Sequence, residues 1–234
     1  MASTGLGSTS RSAQPGAAAS IDEALPSAAV ALRATTPPPH SEIVDADVAG
    51  PCQAARCDRG KLIVVTGIMA AGKSTVAQAL AERFPKSAHV RGDHYRRSIV
   101  CGRHEMSPDP SPEALDQLRL RYRIAISVAE NYRAAGFTTV LQDIIVGPML
   151  DDFVAMVPHR PFSLIVLAPD PTEVAKREQD RAKTGYVRFT PDQLDSTLRS
   201  STPKLGFWLD STGLTVDETV DLALSGLDGA AQIE

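Results

Sequence analysis

The strongest constraint on this chain lies at residues 61–84. Lys61-Leu-Ile-Val-Val-Thr66 is a short continuous run rich in β-branched residues, Gly67-Ile-Met-Ala-Ala-Gly72-Lys73-Ser74 follows at once, and alanine and leucine then recur at helical spacing as far as Phe84. A run without polar alternation suits a strand covered on both faces of a parallel sheet. The octapeptide fits G-x-x-x-x-G-K-[ST] at every fixed position. Its glycines let the backbone turn so that several N–H groups converge, and the helix behind the turn adds its positive end at the same point. Strand, turn and helix in that order supply the context that a bare pattern match lacks.

The same alternation continues along the chain. Ala88 to Arg91, Phe137 to Asp143, Phe162 to Ala168 and Phe207 to Asp210 read as four further strands. Between them, Ser111-Pro112-Glu113 starts a helix that Gly136 stops, Thr172 to Lys183 reads as a charged helix, Thr190 caps another over Pro191 to Leu198, and Thr215-Val-Asp-Glu218 is a capping box. Strands alternating with helices predict an α/β fold. The expectation is a three-layer α/β/α sandwich of the P-loop NTPase kind, with a mainly parallel five-stranded sheet and a lid segment, over residues 59–234. Residues 1–58 are of another character: alanine, serine, threonine, glycine and proline dominate and no apolar stripe forms. Such a segment is expected to be a disordered tail, with a short helix conceivable at Ile21 to Leu32.

Composition narrows the function. The formal charge is −4, which argues against a nucleic-acid binder relying on bulk positive charge. Three cysteines, Cys52, Cys57 and Cys101, are too few and too unpatterned for a disulfide framework or a zinc site. No apolar run approaches the ~20 residues of a membrane span, so a cytoplasmic setting without a membrane partner is expected.

The loop predicts ATP and Mg2+ as ligands. Gly67, Ala70, Ala71, Gly72, Lys73, Ser74 and Thr75 form the expected phosphate cradle. Lys73 places a point charge on the β and γ phosphates and is a catalytic candidate, while the Ser74 hydroxyl is a metal ligand. Neither Asn-Lys-x-Asp, which reads guanine, nor Leu-Ser-Gly-Gly occurs in the chain.

Val90-Arg91-Gly92-Asp93-His94-Tyr95-Arg96-Arg97 leaves the second strand. Ligands of doubly wound sheets sit beyond the carboxyl ends of the strands. Asp93 is placed there either to accept a hydroxyl proton from the acceptor or to cap the next helix. His94, Tyr95, Arg96, Arg97, Arg103, His104 and Glu105 are candidates to line an acceptor pocket. Arg119, Arg121 and Arg123 read mainly as a solvated helix face, beside a core stripe of Leu115, Leu118, Tyr122, Ala125 and Ala129. Asp143 ends the third strand and is positioned to hold magnesium through water or to fix the acceptor, a turn carboxylate being the alternative.

The loop, the Gly-Asp-x-Tyr-Arg at residues 92–96 and the arginine-rich segment at residues 176–186 resemble the chloramphenicol phosphotransferase and zeta-toxin group of P-loop kinases, over about residues 61 to 225. The resemblance implies phosphorylation of a small-molecule hydroxyl, with Asp93 as base and Arg96, Tyr95 and Asp143 on the acceptor. Gln142 stands where those enzymes tend to carry a second acid. The resemblance also implies that Arg177 and Arg181 belong to a lid over the triphosphate, with Gly185 as hinge; an exposed helix with ion pairs is the alternative. Two other readings stay open: a nucleotide or polynucleotide 5′-kinase, and a non-catalytic ATP-binding regulator.

Overall fold

The computed structural model describes residues 59–179 and 188–234. The expected tail over residues 1–58, Cys52, Cys57, and the lid residues Arg181, Lys183, Gly185 and Tyr186 lie outside the described residues.

The chain runs through β1 (Leu62–Gly67), α1 (Lys73–Glu82), β2 (Ser87–Arg91), α2 (Asp93–Arg97), α3 (Pro112–Ala134), β3 (Thr138–Gln142) and α4 (Met149–Met156). It continues with β4 (Phe162–Leu167), α5 (Pro171–Gln179), α6 (Pro191–Ser196), a π-helical turn at Thr197–Ser201, β5 (Phe207–Leu209), α7 (Val216–Gly226) and β6 (Gln232–Ile233). The five expected strands are all present and pair in parallel in the order β2-β3-β1-β4-β5. A sixth strand, not expected, corrects the count: β6 lies antiparallel to the start of β4, pairing Phe162 with Ile233. Two residues carry no periodicity, so nothing in the sequence marks it.

β1 and β4 are buried at every position, the burial that their runs without polar alternation predict. α1 packs with α7, and α3 lies along β1, β2 and β3 and against α4. Ser111 accepts from the Ala114 amide at the head of α3, and both capping boxes, at Thr190 and Thr215, are closed. Leu118, Tyr122, Ala125 and Ala129 are buried as expected of the α3 stripe, and Tyr122 meets Phe153 of α4 edge to face at 5.4 Å. Full burial of such side chains contributes about 1.5–3 kcal/mol each. Two helices escape the sequence reading. α2 has five residues, too few to show a period, and α4 lies over residues 149–156, where the sequence reading places no element.

Candidate active site

The phosphate loop joins β1 to α1. Gly67 has φ 144°, Ala70 φ 60° and Gly72 φ 94°. A Cβ on Gly67 would stand 2.5 Å from the Leu167 carbonyl oxygen, so the close approach of β4 requires glycine there. Ala70 takes a left-handed conformation although it carries a Cβ, at a cost of roughly 1–2 kcal/mol. Ala71 is buried beneath the turn. α1 opens at Lys73 with no side-chain cap and no acid in its first turn, so its positive end faces the loop uncompensated. The Lys73 side chain is 8% exposed and folds over the loop, where Nζ donates to the Ile68 carbonyl at 2.6 Å. Ser74 and Thr75 are exposed at the same helix end.

Parallel pairing brings the other candidates to that edge. The Gly92 amide donates to the Gln142 carbonyl at 3.0 Å, and the Asp143 amide to the Val65 carbonyl at 3.2 Å. Thr66 Oγ1 donates to the Ile145 carbonyl and accepts from the Ile145 amide, which pins the segment after β3 against the root of the loop. Asp93, Asp143 and the loop therefore leave three neighbouring strands on one side of the sheet, and the charges of Lys73 and Asp93 both act on the Asp143 carboxyl.

Asp143 is 4% exposed. Its Oδ1 accepts from Arg121 Nη2 at 2.8 Å and from the Ile144 amide at 2.7 Å. Its Oδ2 is buried without a hydrogen-bond partner and lies 2.0 Å from where a Gly92 Cβ would be. Burial pushes the carboxyl above its ordinary value, while the Arg121 guanidinium, the Ile144 amide and Lys73 pull the other way. Arg121 corrects the sequence reading: its side chain is 11% exposed and pairs with Asp143, whereas Arg123 is exposed and Arg119 reaches Asp152 of α4 at 3.2 Å. Helical period alone puts Arg121 off the main stripe. Only the path of β3 shows that an acid waits there.

Gly92 occupies the cap of α2, and no side chain caps that helix. Asp93 is its first residue and makes a half-exposed ion pair with Arg97 at 3.1 Å, so the cap alternative for Asp93 is not what the fold uses. Tyr95 packs its ring on the core. Arg96 is bonded to Glu105, which Arg103 also approaches at 3.3 Å, and the Arg96 bond holds the Glu105 carboxyl below its usual range. Arg177 lies over the loop, with Nη1 3.6 Å from the position of a Gly72 Cβ, and is held by Glu173 at 2.9 Å and the Ser211 carbonyl at 3.1 Å.

A cavity of about 940 Å³ opens beside the loop. Met69 of the loop, Arg96, Arg121, α4, Phe189 and α6 form its walls. Asp93 and Tyr95 are not among its described lining residues. Among the described residues no group of three or more His, Cys, Asp or Glu is placed to hold a metal alone. An exposed Ser74 hydroxyl and a partnerless Asp143 oxygen at one edge nevertheless fit magnesium, which takes few protein ligands and leans on substrate phosphates. The uncapped helix end and the lysine-covered turn fit the phosphates themselves. No described helix is long and apolar enough to cross a membrane.

Fold and site together define a P-loop kinase-like α/β domain. The chain belongs to the AAA domain family, whose model matches residues 62–203. No curated protein matches it. Among solved structures it is similar to a sugar kinase of Janibacter sp. HTCC2649, 16% identical, covering 72% of this chain and 95% of that one with a TM-score of 0.54. It is likewise similar to the Mycobacterium tuberculosis APS kinase solved with AMPPNP and APS, 20% identical, covering 73% and 99% with a TM-score of 0.53. At these identities the likeness is one of fold.

Proposed function

We propose that the chain transfers the γ-phosphoryl group of ATP to a hydroxyl of a small molecule, a metabolite or an antibiotic, in the cytoplasm. One observation carries the reading: Met69 of the phosphate loop is part of the wall of a roomy cavity, so a phosphate-binding turn and an organic-ligand site open onto each other. Donor and acceptor are thereby held in one enclosure, the main requirement of phosphoryl transfer.

The backbone from Gly67 to Thr75 and the Lys73 ammonium hold the triphosphate, and Arg177, joined in this reading by Arg181, covers it. Ser74, and Asp143 through water, would hold magnesium, which would supply positive charge against the phosphates. Asp93 orients the acceptor and takes its hydroxyl proton as the oxygen bonds to phosphorus and the bridging oxygen to the β phosphate departs. Arg96 and Tyr95 help position the acceptor.

The test is transfer of labelled γ-phosphate from ATP to a library of metabolites and antibiotics, with Lys73→Ala alongside. Transfer by the wild type and its loss in Lys73→Ala are expected. ATP binding without transfer to any acceptor would favour a regulator, and wild-type turnover by Lys73→Ala would end the phosphate-loop assignment.

A further inference from the structure

Beside the phosphate loop, six apolar side chains of four separate segments face one cavity and stay only partly covered: Met106, Leu115, Ile144, Val146, Met149 and Phe189. Half-covered apolar residues also occur elsewhere in the domain, but six on one concave wall form an apolar surface that needs an occupant. From this we infer that the acceptor is a bulky, largely apolar alcohol, not a sugar. The inference rests on the kinase reading above.

The polar groups of the cavity agree. Two of its guanidiniums are already engaged: buried Arg121 through Nη2 by Asp143 at 2.8 Å, with its Nε left without a partner, and the third-exposed Arg96 by Glu105. Arg103 and Arg188, the latter on the cavity wall, share the field around Glu105, and Asp192 adds a carboxylate on the α6 side. A hexose brings a hydroxyl on nearly every carbon, each of which loses its water on entry. Ser107, Gln193, Ser196 and Thr197 can partner some of those hydroxyls, but against methionine, leucine, isoleucine and valine the others find no replacement partner, and that loss opposes binding. An apolar body loses nothing on the same walls and covers the six half-exposed side chains. A volume of about 940 Å³ admits a body well beyond hexose size. The lone hydroxyl then has to reach only the loop side, where Met69 meets the cavity.

The test uses the full chain and three acceptor panels: 3-phenyl-1-propanol and its homologues lengthened one methylene at a time, glucose with gluconate and glycerol, and AMP with glycerol 3-phosphate. ATP affinity is measured first, and its absence would sink the kinase reading without bearing on the cavity. With ATP bound, kcat/KM is expected to rise about three- to fourfold per added methylene in the first panel, the factor that goes with burying one CH2. Leu115→Asn is expected to raise KM for the longer phenylalkanols about tenfold, with KM for ATP and melting temperature unchanged. If no acceptor turns over, the same series is read as thermal stabilisation of the complex with a non-hydrolysable ATP analogue, and a rise with chain length is again expected. A flat series in both readouts, preference for the sugar or phosphate panel, or indifference to Leu115→Asn would each overturn the inference.

Discussion

Gly92 shows how tightly this site constrains single residues. It has an ordinary φ of −62°, so its backbone would accept any side chain, yet a Cβ there would lie 2.0 Å from Asp143 Oδ2. The carboxylate cannot swing aside without breaking its bonds to Arg121 and Ile144. Gly92→Ala is therefore expected to cost about 1–3 kcal/mol, the usual range for overpacking, and to lower the melting temperature by several degrees. Asp93, the next residue, makes the opposite kind of prediction. It caps nothing and its ion pair with Arg97 is half exposed, a contact worth under about 1 kcal/mol. Asp93→Asn should leave stability and the ATP dissociation constant nearly unchanged while kcat falls ~10²–10⁴, the contribution typical of a positioned base. A kcat within a few-fold of wild type would remove Asp93 from the mechanism and put Asp143 in its place as candidate.

Between elements, the Arg121–Asp143 pair ties the middle of α3 to the end of β3. In the unfolded chain the Asp143 carboxyl titrates near 3.8; in the fold, burial raises it. A carboxyl raised by folding leaves stability whole below its unfolded value and erodes it as pH climbs toward the folded one. Arg121 opposes that rise, so removing it widens the window. Arg121→Met is expected to cost about 3–5 kcal/mol near neutral pH, where it strands a buried charge, and less near pH 4, where the unfolded carboxyl is itself close to half protonated and holding the buried one neutral costs little. Urea melts at the two pH values decide it, since equal losses would mean that packing alone is at stake. This pair also shows where the sequence falls silent. β1, β3, β4 and the capped helices announce themselves through local residues: short runs rich in β-branched and apolar side chains, Thr190 and Gln193, Thr215 and Glu218. The loop residues from Gly67 to Ser74 do the same through fixed spacing. Arg121 meeting Asp143, and Met149 of α4 sharing a cavity wall with Phe189, depend on how distant elements dock, and no local pattern records that. Short α2 and two-residue β6 fail for another reason, since they are too brief for any period to appear.

At the scale of the molecule, the described residues from 59 onward carry a core that is continuous from β1 to Ala231. Removing residues 1–58, which lack the apolar content to add to it, is expected to leave kcat and melting temperature as they are; a collapse of either in the shortened chain would show the segment to be structural. The order of strands has a consequence for how such a chain is made. β1 is the first strand of the domain and the central one of its sheet, but its partners are residues 139–142 and 163–167. A ribosome thus releases Leu-Ile-Val-Val-Thr, wholly apolar but for its last residue, well before either neighbour exists. Until then the segment has two unsatisfied edges and no cover, the state in which nascent chains aggregate or recruit chaperones. Pairings this distant in sequence also slow folding. The strand that carries the phosphate loop to the centre of the finished sheet is, during synthesis, its most vulnerable piece.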